Sequence, residues 1–314
     1  MRMTLRRPLL AGLFLGMLAS LAPAQTPPAE TPPPLELVVL GSGGPGATGR
    51  AGSAHVVLVD GVARVLVDAG PGSFARLGEA ALPLNRLDII LLTHLHADHA
   101  GELPGIVKAR AVSAGRPVTL RIFGPGGQRA KQRDDADFPS TRRFVDLLFG
   151  KQGAFGYLRD FSAPLTLQAT NIAPTPQPRV LLDEAGLRIT ALRGHHRDAP
   201  AVIYRVEHGG KSIVFSGDID AGGHAALKRL AQGCDALVFN TVVLDPPGSP
   251  EVLYTLHTAP SQIGAIAAAA GVGRLLLAHL VPAVERERAA VDASIRTHYA
   301  GSLSWAEDGL HLRP

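Results

Sequence analysis

Thr93-His94-Leu95-His96-Ala97-Asp98-His99 follows the apolar run Asp88-Ile89-Ile90-Leu91-Leu92. Three imidazoles and a carboxylate therefore leave the end of a predicted strand within six residues. Four such groups cannot all face one core. Converging in a turn, they suit two neighbouring divalent ions of the zinc type, which accept imidazole nitrogen and carboxylate oxygen as ligands. Alternation puts His94 and His96 on one side, while Asp98 and His99 turn toward a second ion.

The composition fits a centre built without sulfur. The chain has 12 His and a single Cys, Cys234, which excludes a disulfide framework and a thiolate cluster. Its 314 residues, 46% hydrophobic and 18% charged, are enough for one large domain or two ordinary ones, and exclude a disordered or fibrous chain. The formal charge of +4 raises the question of an anionic partner. Three of the positive charges, Arg2, Arg6 and Arg7, stand ahead of an apolar run over residues 9–22 and the sequence Ala22-Pro23-Ala24. Residues 1–24 read as a secretory signal peptide, since the apolar run is shorter than the roughly 20 residues of a membrane-spanning helix. Pro8 fits a twin-arginine signal poorly, and the export route stays open. Removing residues 1–24 leaves 28 Lys and Arg against 27 Asp and Glu, a charge of about +1. The expected location is periplasmic or secreted, with no membrane anchor. Residues 25–34, QTPPAETPPP, read as a Pro-rich linker ahead of one domain over 35–314.

From residue 35 short β-branched runs alternate with Ala- and Leu-rich stretches, the pattern of an α/β protein. Strands are predicted at 35–40, 55–60, 64–68, 88–93, 118–123, 187–193, 201–207, 212–217, 236–240 and 274–279. Helices are predicted at 102–114, 141–149, 223–232, 259–270 and 284–299. Between 124 and 180 scattered Pro and Gly leave no clear pattern. Gly41-Ser42-Gly43-Gly44-Pro45-Gly46 fits G-x-G-x-x-G, but the next predicted element is a strand rather than a helix able to hold a pyrophosphate. The overlapping run at 44–51 nearly fits a phosphate loop, yet it has Arg50 and Ala51 where Lys and Ser or Thr are needed. Both read as a glycine-rich turn between strands.

The motif at 93–99 resembles that of the metallo-β-lactamase superfamily. Gly194-His195-His196, Ser216-Gly217-Asp218 and Leu277-Ala278-His279, each ending a later predicted strand, match the rest of that family's pattern in order and context. The resemblance covers residues 35–310 and implies an αββα sandwich with metals at one edge. It implies that His94, His96 and His196 hold one zinc, that Asp98, His99 and His279 hold the other, and that Asp218 bridges them. His195 competes with His196 for the third place; the run His196-x-x-x-Pro200 and the strand beyond it favour His196. Asp220 is a rival of Asp218, but Gly217-Asp218 leaving an apolar strand matches better. His55, His208, His224, His298 and His311 fit no motif and are assigned to packing or surface roles.

Tyr254-Thr255-Leu256-His257-Thr258-Ala259 resembles the His-Ser-Thr loop of the ribonuclease Z and arylsulfatase-like branch. That resemblance makes His257, beside Asp98, the expected catalytic residue, stabilising charge or protonating the leaving group. The glycine-rich opening resembles the branch's first loop, which implies a substrate-binding role for Arg50; Asn240, after the strand ALVFN, is the other expected substrate residue. Ribonuclease Z has an acidic pair reading roughly His-Glu where this chain has Asn240-Thr241. It also carries a substrate-clamping arm where His196 and Asp218 stand only 22 positions apart. With export and the low charge, these departures give the expectation of a small-molecule substrate and no nucleic-acid partner. The expected activity is that of an exported enzyme with two Zn2+, whose metal-bridged hydroxide attacks a phosphodiester, aryl sulfate or carboxylic ester. The alternative on the same fold is β-lactam or lactone hydrolysis, and a less favoured one is a non-catalytic metal- or ligand-binding protein. Oligomeric state is not legible.

Overall fold

The computed structural model describes residues 31–130, 137–161, 163–197 and 199–314. The predicted signal peptide and most of the predicted linker lie outside the described residues. The first half runs through β1 (Leu35–Gly41), β2 (Ala54–Val59), β3 (Val62–Val67), α1 (Ser73–Glu79), β4 (Ile89–Leu91), α2 (Ala97–Ala100), α3 (Leu103–Val112), β5 (Val118–Pro125), α4 (Thr141–Phe149) and β6 (Leu165–Ile172). The second half runs through β7 (Arg179–Glu184), β8 (Leu187–Arg193), β9 (Val202–His208), β10 (Lys211–Phe215), α5 (His224–Leu230), β11 (Ala236–Asn240), α6 (Pro260–Ala269), β12 (Arg274–Ala278), α7 (Pro282–Arg286), α8 (Arg288–Arg296), β13 (Ser302–Trp305) and β14 (His311–Leu312).

Two seven-stranded sheets result, ordered β14-β1-β2-β3-β4-β5-β6 and β13-β12-β11-β10-β9-β8-β7. Each begins as an antiparallel meander, β1 to β3 and β7 to β10, and continues in parallel strands. Tight two-residue turns close the hairpins. Asp60-Gly61 and Ala185-Gly186 both sit at positive φ, the geometry whose twist matches that of paired strands.

Burial on both faces explains why the strands read as unbroken apolar runs. In β1, Leu37 and Val39 enter the core between the sheets, while Val38 and Leu40 enter the core under the first sheet's helices. In β12, Leu276 and Ala278 face the inter-sheet core, and Leu275 and Leu277 pack in the helix-side core with Ile263 of α6 and Ile295 of α8. Each fully buried Leu or Val contributes about 1.5–3 kcal/mol. The architecture is the expected αββα sandwich, the metallo-β-lactamase fold.

The predicted elements omit the short helices α1 and α2 and the edge strands β6, β7, β13 and β14. β6 falls in the stretch that showed no pattern and β7 begins at its end; each is an edge strand, and the polar residues of LTLQATNI and RVLLDE mask the apolar alternation. The helix predicted over 284–299 is broken into α7 and α8 at Glu287, which has φ −103 and ψ 24. The carboxyl ends of the parallel strands β3, β4, β10, β11 and β12 gather at one edge, the position where open α/β sheets place their ligands. Among the described residues no helix is long and apolar enough to cross a membrane.

Candidate metal centre

Parallel pairing of Val67 with Leu91 carries Asp68, just past β3, alongside Thr93. Thr93 donates from its backbone N–H to Asp68 Oδ1 (2.7 Å) and from its hydroxyl to Oδ2 (2.8 Å). His99, in the last turn of α2, donates from Nδ1 to the same Oδ2 at 2.8 Å, which leaves Nε2 for the centre. Asp68 has φ 60, a left-handed backbone rare outside glycine and common at functional positions. Sequence reading missed Asp68 as a functional residue. Its one signal was an aspartate ending the strand VLVD, 25 residues ahead of Thr93.

The second sheet supplies the rest. His196, after β8, donates from Nδ1 to the Leu256 carbonyl at 2.7 Å, so its Nε2 is free. Gly217 carries the chain from β10 to Asp218 at φ 57, where a Cβ would stand 2.8 Å from that of Thr93; only glycine fits. His279 leaves β12 in the same left-handed conformation, φ 57.

Two groups of potential ligands result: His94 with His96 and His196, and Asp98 with His99, Asp218 and His279. Asp218 Oδ2 lies 3.9 Å from His94 Nε2, 3.8 Å from His196 Nε2 and 3.6 Å from His99 Nε2, so it reaches both groups. His279 Nε2 is 2.9 Å from His99 Nε2 and 3.0 Å from Asp98 Oδ2. Ligands bound tetrahedrally about 2.0–2.1 Å from a zinc ion stand about 3.3 Å apart, in the middle of these separations. His94 Nε2, His257 Nδ1 and His279 Nδ1 are buried without a hydrogen-bond partner, at a cost of about 1–3 kcal/mol each that a cation would offset. The residues fit a pair of divalent ions. His257 Nδ1, 3.9 Å from Asp218 Oδ2, forms a third group with His196 and Asp218.

Electrostatics favour the same occupant. Burial pushes His94 well below the ordinary imidazole pKa and His257 down to about 4, keeping both neutral donors despite the Asp218 carboxylate. Burial would lower His99 too, but Asp218 and Asp68 hold its imidazolium well above the usual range. Burial opposes ionisation of Asp218, and His279 and His99 nevertheless hold its carboxyl well below the usual carboxylate range. A cation displacing the His99 proton meets an ionised Asp218 and neutral imidazoles.

His94, His96, Asp98, His99, His196, Asp218, His279 and His257 are thus brought together. His195 lies outside the cluster: its Nδ1 is 2.7 Å from Asp220 Oδ1 and its side chain is 41% exposed. The two expected substrate residues, Asn240 and Arg50, each have a partner within the protein. Asn240 Nδ2 donates to Asp218 Oδ1 at 2.7 Å. Arg50 is drawn away by Glu285, to which its Nε donates at 3.1 Å, and by Ser42 Oγ at 2.8 Å, so it braces the first loop against α7. Its partner stands 235 residues away, beyond the reach of any local motif.

A family model described as beta-lactamase superfamily domain matches residues 63–280. Ribonuclease Z of Mycobacterium avium (strain 104) is 31% identical over 259 residues, covering 80% of this chain and 87% of that protein. Among solved structures, human tRNase Z, short form, shares the fold with a TM-score of 0.64 at 22% identity, covering 89% of this chain and 99% of that one. Zn(2+)-bound PqqB from Methylobacterium extorquens does so with a TM-score of 0.61 at 19% identity, covering 88% and 99%. The ribonuclease Z relatives overturn the expectation that nucleic acid is excluded as a partner. That expectation rested on net charge, which averages over the surface and does not report a local basic patch, and on two local departures that the match spans. By its family match, its relatives and its paired His/Asp clusters, the chain belongs to the metallo-β-lactamase superfamily of metal-binding hydrolases, with ribonuclease Z among its homologues.

Proposed function

We propose that the protein is an exported dinuclear zinc hydrolase that cleaves phosphodiester bonds. His94, His96 and His196 would hold one ion and Asp98, His99 and His279 the other, with Asp218 within reach of both groups. The observation that carries this reading is Asp218 Oδ2, set 3.6–3.9 Å from ring nitrogens of both ligand groups. Two bound ions supply Lewis acidity and lower the pKa of a coordinated water from about 15.7 toward neutrality. The chain's own residues do the rest. Asp68 and Asn240 hold His99 and Asp218 in orientation. Asp98, more exposed than Asp218, accepts a proton from the attacking water. His257, neutral and with Nδ1 facing the centre, is placed to donate a hydrogen bond to the leaving oxygen and stabilise the charge that develops there.

Of the ester classes read from the sequence, the ribonuclease Z relatives favour the phosphodiester. The test is turnover by the zinc-loaded protein on bis(4-nitrophenyl) phosphate, a short RNA, 4-nitrophenyl sulfate, 4-nitrophenyl acetate, a lactone and a cephalosporin. Preferred cleavage of either phosphodiester supports the reading, and preferred cleavage of any other class overturns it. Export rests on Arg2, Arg6 and Arg7 and the apolar run behind them. Mass spectrometry of the protein recovered outside the cytoplasm is expected to show a chain beginning near Gln25.

A further inference from the structure

A cavity of about 160 Å³ lies against His196, where the loops after β5 and β6 meet the β8–β9 connection. Arg193, His195, Arg197 and Gln128 are among the polar residues that line it. A second cavity shares Arg193 and His195 and adds Arg229. Among the described residues, no carboxylate pairs with any of these three guanidiniums. Arg229 donates only to neutral oxygens, the Pro176 carbonyl and Gln177 Oε1. Asp220, beside the wall, is already engaged by His195 Nδ1 and by the N–H groups of Arg197 and Gly222. Arg121, Arg188 and Arg205, by contrast, each pair with an acid, Glu184, Asp183 and Glu207. Arg197 is held at φ 51 while Asp220 fixes its backbone N–H, so its place at the cavity is set by the fold.

We propose that Arg193 and Arg197 form an anion subsite that takes a second phosphate of the substrate, next to the scissile phosphodiester at the metal centre. This rests on the phosphodiester reading above. Guanidinium stays charged at any working pH and matches phosphate oxygens with paired donors. A cavity of this size admits a phosphate group, and its wall is shared with a metal-centre histidine, so the two anionic groups belong to one ligand.

The test compares two probes, the 4-nitrophenyl ester of thymidine 5′-monophosphate with and without a 3′-phosphate. The zinc-loaded wild type is expected to show a KM about 5- to 10-fold lower for the 3′-phosphorylated probe, the size of a partly exposed charge-assisted contact. Arg193→Gln/Arg197→Gln is expected to erase that difference while kcat and zinc content hold. Equal wild-type KM values, or a double variant that weakens both probes alike, overturn the subsite. If neither probe is cleaved, the phosphodiester reading fails, and equilibrium dialysis of both probes still decides the subsite by the same ratio in Kd. Should the double variant not fold, the wild-type preference is expected to shrink severalfold in 0.5 M NaCl; a preference indifferent to salt overturns the proposal.

Discussion

Asn240 Nδ2 donates a 2.7 Å hydrogen bond to Asp218 Oδ1, which leaves Oδ2 as the oxygen that faces His94, His99 and His196. An amide at the end of β11 thus selects which carboxylate oxygen is shared between the two ligand groups. Asn240→Ala is expected to weaken zinc binding at the shared position about 10- to 100-fold, the usual cost of losing an outer-shell partner. Chelator competition measures it, and wild-type affinity in the variant removes the orienting role.

Asp68 is expected to matter for the ion at His99 alone. Asp68→Ala frees the His99 ring and the Thr93 backbone N–H and hydroxyl together. The second zinc equivalent is expected to bind about 10- to 100-fold more weakly, with the first nearly unchanged. Equal weakening of both equivalents points to general disruption and sinks the assignment.

For His257 the leaving group is the discriminating variable. His257→Ala is expected to keep both ions and to lower kcat about 10²- to 10³-fold on an alkyl phosphodiester, whose leaving oxygen develops the larger negative charge. The loss is expected to be much smaller with 4-nitrophenolate, which departs unprotonated. A variant that loses an ion shows instead that His257 is a ligand, in line with its grouping with His196 and Asp218.

His55 ties the fold to acid. It is buried on β2 against Phe215, its Nε2 has no partner, and burial, with His99 and His279 nearby, pushes its pKa down to about 3. The unfolded chain takes up this proton near pH 6.5 and the folded chain only near 3, so stability present above pH 6.5 is lost as the pH falls between those values. His55→Leu is expected to lose about 2 kcal/mol less than wild type between pH 7 and pH 5. Urea unfolding at the two pH values measures it; parallel losses contradict the account.

The site was legible where chemistry is local and illegible where it depends on register. His94, His96, Asp98 and His99 share one turn, so their spacing exposed them, while Asp218 and His279 each succeed an apolar strand and were found through the resemblance to the superfamily's pattern. His196 was distinguishable from His195 only through Pro200 and the apolar strand downstream. Asp68 reaches His99 because β3 pairs with β4, and Asn240 reaches Asp218 because β10 pairs with β11; neither pairing leaves a motif in the chain. The partner of Arg50, Glu285, was illegible because it stands 235 residues away. In the fold, strands buried on both faces were readable from their apolar runs, whereas the edge strands β6 and β7 were hidden by their polar faces.

The central claim is that Asp218 joins two ion sites into one centre. Zinc titrated into the metal-free protein, with bis(4-nitrophenyl) phosphate turnover followed at each addition, tests it most directly. The account predicts that activity rises chiefly with the second equivalent and levels off at two ions per chain, and that Asp218→Ala abolishes both binding and turnover. Activity that saturates at one equivalent, or an Asp218→Ala protein that still binds two ions, would contradict it.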